Sequence, residues 1–171
     1  MLRLLISSLA LASTIGIGSY ADTTLHVPVR GASTQRETIL QRGLVGNAVA
    51  VTIGNRNKRC QIIPINAVTV VDALTGNQRG LTLHAKLNGR LVGRTATINA
   101  QDFTATIDFP TALRVPSCAV NRLSFTLESD ATAVSGSRHQ FILELPTDLI
   151  TDENLEWQGA FPFRGPVITV R

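Results

Sequence analysis

Few side chains in this sequence are of a kind that does chemistry, and their spacing argues against most of it. The histidines are His26, His84 and His139, each alone in a strand-like stretch, and the cysteines are Cys60 and Cys118. No H-x-H, H-E-x-x-H or C-x-x-C occurs, so a zinc or copper centre has no ligand pair to start from. A blue-copper site wants a Cys with two His and commonly an axial Met; the single Met is Met1. A nucleophile elbow needs G-x-S-x-G, which is absent, and Gly136-Ser137 reads as plain loop. Asp72, Asp102, Asp108 and Glu128 fall on turns and polar strand faces. There they read as solvated rather than as the facing pair of a glycosidase. No glycine loop suits a phosphate. The expectation is a chain with no catalytic residue, metal or cofactor.

Four features remain as candidates for binding or assembly. Arg56, Lys58 and Arg59 make a basic turn, readable as a solvated hairpin tip or as a patch for an acidic partner. Asp148, Asp152, Glu153 and Glu156 make an acidic run, with no Lys or Arg from Gln140 to Phe163. Its spacing lacks the central Gly of an EF-hand loop, which leaves a solvated loop or an interface. Basic tip and acidic run could meet head to tail between copies. Trp157, Phe161 and Phe163 are the densest aromatic cluster and read as core packing. Finally, Leu25, Val27 and Val29 alternate at the start of the chain, away from any hairpin. They read either as the first strand of the chain's own sheet or as a strand donated to a neighbouring copy.

The elements that must position these residues are strands. Leu81, Leu83, Ala85 and Leu87 alternate with polar residues, Asn88-Gly89 supplies a type I′ turn, and a return strand over 91–98 follows. A two-residue turn sets Ala85 opposite Val92 and Leu83 opposite Arg94. Either Gly93 marks a bulge, or the strand is an edge blocked by Arg94. Phe103, Ala105, Ile107 and Phe109 make a third consecutive strand, stopped by Pro110. Further strands are read over 24–29, 44–55, 61–65, 67–73, 122–128, 139–145 and 166–171, with one helical turn in 146–159 capped by Thr147 or Asp148. Roughly eight to ten short strands with little helical periodicity predict an all-β fold. The expectation is a single antiparallel β-sandwich, immunoglobulin-like or jelly-roll-like, over 22–171.

The first 21 residues read differently. Arg3, the apolar run Leu4 to Ile17 and the small residues around Ser19 and Ala21 form the pattern of a cleaved signal peptide. No later stretch is long and apolar enough for a membrane span. Two cysteines in an exported chain predict a Cys60–Cys118 disulfide. The net charge is a modest +4, a weak pointer to nucleic acid that export weakens further, so no nucleic-acid partner is expected.

Signal peptide, compact β domain, one cystine, detached Leu25-Val27-Val29 strand and missing catalytic residues together resemble chaperone–usher pilin subunits. That resemblance implies an immunoglobulin-like fold lacking a strand, polymerised by N-terminal donor strands, with other copies and a periplasmic chaperone as partners. The expected function is a non-catalytic exported structural or adhesive subunit. The alternative is a monomeric periplasmic or extracellular module binding a sugar, peptide or acidic polymer.

Overall fold

A computed structural model describes residues 25–31, 36–54, 62–94, 98–116, 118–152 and 154–171. The strands within them are β1 (Leu25–Gly31), β2 (Thr38–Leu40), β3 (Val45–Ile53), β4 (Ile62–Asp72), β5 (Leu81–Leu87), β6 (Arg90–Arg94) and β7 (Thr104–Pro116). They continue with β8 (Asn121–Ser129), β9 (Arg138–His139), β10 (Phe141–Leu143), β11 (Leu149–Ile150), β12 (Leu155–Gln158), β13 (Phe163–Arg164) and β14 (Ile168–Val170). One 3₁₀ turn, Pro146–Asp148, is the only helical element among the described residues. Residues 1–21, where the signal peptide is read, lie outside them.

A six-stranded sheet runs β12-β1-β3-β8-β5-β6. In a second sheet, β4 has β7 on one side and β10 and β11 on the other, and β13 continues from β10. A small third sheet runs β2-β14-β9. Side chains from all three meet in one apolar cluster that includes Val51, Leu83, Phe125, Ile63, Phe141 and Ile168. The fold is all-β with several sheets, consistent with a β-sandwich. Burying each such side chain is worth about 1.5–3 kcal/mol, and strand alternation sends every second one inward.

The pairing differs from a purely antiparallel expectation. β1 lies parallel to β12, and β2 lies parallel to β14. The Asn88-Gly89 turn forms as read, with φ of 51° and 84°, and β5 and β6 pair across it. A bulge follows: Lys86 faces Leu91 but Ala85 faces Gly93, so His84, not Leu83, lies opposite Arg94. β6 is thus bulged, with Val92 rather than Gly93 as the extra residue, and it is also a sheet edge among the described residues. The third strand of the expected meander does not join this hairpin. β7 crosses to β4 in the other sheet, because its buried residues Ala105, Ile107 and Phe109 fill the core from the opposite side.

Pro110 does not end β7, and Pro64 does not break β4. Both sit in one long pair whose register slips between Ile65 and Ala67. Ala67 faces Asp108 while Ile65 faces Leu113, so 109–112 bow out of the ladder. Pro110, which has no N–H to donate, sits in that bow. The same irregularity flips the phase of β4: 63, 65 and 67 are buried, then 68, 70 and 72. The expected strand 139–145 is split at Gln140 into β9 and β10, which belong to different sheets; Leu145, read as inward, is 54% exposed.

Candidate functional site

The phase flip in β4 brings Asp72 inside, and the split at Gln140 brings His139 to it. Asp72 is 1% exposed and His139 0%. His139 Nδ1 lies 2.7 Å from Asp72 Oδ2, and His139 Nε2 lies 3.0 Å from Ser137 Oγ. The imidazole stacks on Phe141 with the rings 9° apart. Asp72 is saturated from other directions. Gln78 Nε2 donates to it at 2.9 Å, and the N–H groups of Gln140 and Leu74 at 2.9 and 3.2 Å. Gly76 leaves room for this cluster, since a Cβ there would lie 2.5 Å from His139 Cε1. Burial pushes the Asp72 carboxyl up. The hydrogen bonds from His139, Gln78 and Gln140, with the His139 charge, outweigh that and hold it below its ordinary value.

A Ser–His–Asp chain at these distances has the outline of an acyl-transfer triad. The N–H groups beside its serine are already engaged. An oxyanion needs free N–H donors beside the nucleophile. Here the Gly136 N–H donates to Val170 O at 2.8 Å and the Ser137 N–H to Val134 O at 3.2 Å. Ser137 Oγ also lies 2.8 Å from Val134 O. Its single proton serves either that carbonyl or His139 Nε2, and the ring then accepts or donates accordingly. The cluster joins the end of β4, the 73–80 turn and β9, and so ties the second sheet to the third.

Asp72 had been read as solvated and His139 as isolated, so their pairing is a correction; Ser137 lies in a loop, as read. The signal that finds it is strand phase: Asp72 shares a face with Val68 and Val70, and His139 with Phe141. By contrast, Asp102, Asp108 and Glu128 are exposed, as read, and His84 Nε2 pairs with Glu128 at 2.5 Å.

No protein-family model matches the chain, and no curated protein matches it.

The assembly candidates fall as follows. Arg56, Lys58, Arg59 and Cys60 lie in 55–61, and Glu153 at its own position, all outside the described residues. Cys118 is not a free thiol. Asp148 accepts the N–H groups of Glu144 and Leu145 at 2.7 and 2.8 Å and so caps the 3₁₀ turn. Asp152 accepts from Asn66 Nδ2, and Glu156 lies 2.7 Å from His26 Nδ1. Among the described residues no three His, Cys, Asp or Glu side chains gather as metal ligands would. Trp157 and Phe163 are buried, and Trp157 Nε1 donates to Leu149 O at 2.9 Å, which clips β12 to β11. Leu25, Val27 and Val29 sit in β1, an interior strand of the chain's own six-stranded sheet; Val27 and Val29 are 1% and 2% exposed. No helix among the described residues is long and apolar enough to cross a membrane.

Proposed function

We propose that this chain is a non-catalytic exported structural or adhesive subunit, an immunoglobulin-like sandwich that assembles with other copies by exchanging its first strand. The observation that carries this is the seat of β1. It lies between β3 and β12, with 25–28 paired to β12 and 29–31 to β3, and sends Val27 and Val29 into the core. A slot that accepts an extended segment with apolar residues at alternate positions accepts the same segment from a neighbouring copy, which is strand donation. The signal-peptide pattern of 1–21 supports export, and a Cys60–Cys118 disulfide suits the oxidising space it leads to. A periplasmic chaperone that shields the slot before assembly is part of this reading.

The test is complementation. A chain lacking 22–30 is mixed with a peptide of residues 22–31. The peptide is expected to raise the melting temperature of the truncated protein and to block its assembly with intact copies. A truncated protein that assembles as the intact chain does would overturn strand exchange.

A second reading, a monomeric binding module, draws on a concave patch of about 440 Å³ over Gly31, Pro162 and Phe163, flanked by Arg30 and Arg164. An acidic polymer or acidic peptide suits that pair of guanidinium groups. A strictly monomeric protein whose melting temperature rises with a polyanion would favour it.

A further inference from the structure

On one flank of the molecule, between β6 and β7, lies a groove of about 520 Å³. Phe109, Val92 and Leu113 line it, and Leu91 stands 47% exposed at its lip. The bow at 109–112, which leaves the β4 ladder, forms its wall. Its charged residues are Arg90 and Arg114, both exposed. Asp108, one step before buried Phe109, points to the other face of its strand. A second groove, of about 450 Å³, lies between β11 and β12. Leu149, Leu155 and Trp157 line it, with Ile150 39% exposed. Its charged residue is Glu156, with Asp148 and Asp152 on the adjoining segment.

These grooves are on opposite flanks. Val68 of β4 pairs with Ile107 of β7 on one side and with Leu149 of β11 on the other. β6 and β12 are the two ends of the six-stranded sheet. Each has one edge paired and the other unpaired among the described residues, and an unpaired edge is a template for another strand.

We infer that the two flanks are halves of one interface, and that the occupant of each is a second copy of this chain, docked head to tail with its β12 edge on the β6 edge of the next. Charge decides the partner. Pairing like flanks sets Arg90 and Arg114 against their own copies, or Glu156 and Asp152 against theirs, and like charges across a contact repel. Charged edges of a single sign would block self-pairing altogether; edges of opposite sign block only the like pairings. Strand direction agrees. β1 runs with β12, and four antiparallel steps lead from β1 through β3, β8 and β5 to β6. β6 and β12 therefore run the same way, and a copy displaced along the sheet presents β12 parallel to β6. Their lengths are close, five residues in β6 and four in β12. Such a contact does not close on itself, so it extends into a filament. It leaves β1 in its own sheet and is independent of strand exchange.

Sedimentation velocity on the purified chain tests this with charge swaps. One variant carries Arg90→Glu and Arg114→Glu, the other Asp152→Lys and Glu156→Lys. The wild type is expected to associate at low salt and to dissociate at high salt, where exposed charges are screened. Each variant alone should be monomeric, and an equimolar mixture should associate again, because each then finds an opposite rim. Where a reversal lowers the melting temperature, Arg90→Gln and Glu156→Gln are read instead, each expected to weaken association roughly tenfold, about 1.4 kcal/mol. A wild type that stays monomeric at low salt, a variant that associates unchanged, or a mixture that stays monomeric overturns the proposal. Association that survives high salt but is blocked by the 22–31 peptide also overturns it, and assigns the contact to strand exchange.

Discussion

The most consequential residue is Asp72. A buried carboxylate is costly unless it is paired, and it is met by one imidazole, one amide and two backbone N–H groups. Removing one partner of such a pair strands the other, so Asp72→Asn or His139→Phe is expected to cost about 3–5 kcal/mol of unfolding free energy. Ser137→Ala, which removes the hydroxyl's contacts with His139 and Val134 at a half-buried site, should cost about 1–2 kcal/mol. Urea denaturation separates these outcomes. A fluorophosphonate probe is expected to leave Ser137 unlabelled; labelling abolished by His139→Phe would make the cluster a hydrolytic site. The pH dependence has a definite sign. Asp72 titrates lower in the folded chain than in the unfolded one, so its contribution is complete above about pH 4 and is lost as pH falls through the folded value. Asp72→Asn should remove that part of the acid-limb slope.

At the scale of elements, what the sequence made legible was alternation, and what it hid was irregularity. Leu81 to Leu87, the Asn88-Gly89 turn and Leu123 to Leu127 are regular, and their inward faces follow from period two alone. Breaks in that period depend on what lies across the ladder. Pro64 looked like a stop, yet the slip falls at Asn66, because the partner strand carries the extra residues 109–112. Asp72 was misplaced for the same reason: its face is set by the slip, six positions upstream. His139 was read as isolated because its partner lies 67 positions away in sequence, on a strand whose phase the slip reverses. The β6 bulge makes a local prediction. Gly93 lies so close to β7 that a Cβ would sit 2.8 Å from Ile107 Cγ2 and 2.9 Å from Phe109 Cε1. Gly93→Val is expected to cost about 1–3 kcal/mol through overpacking, seen as a lower urea midpoint.

For the whole molecule, cross-linking and connectivity matter more than any single contact. With a Cys60–Cys118 bridge, which belongs to the proposed exported form, reduction should lower stability by roughly 3–5 kcal/mol through the released loop. Thermal melts with and without a thiol reductant measure it. A melting temperature indifferent to reductant would argue against that pairing. The parallel pairs β1–β12 and β2–β14 have a consequence in time. Each joins residues from the first quarter of the chain to residues near its end, and contacts so distant in sequence form slowly. A polypeptide emerging end-first must hold β1 and β2 unpartnered on those edges until its last strands arrive, and through that interval its exposed early strands are open to aggregation or to capture by another protein.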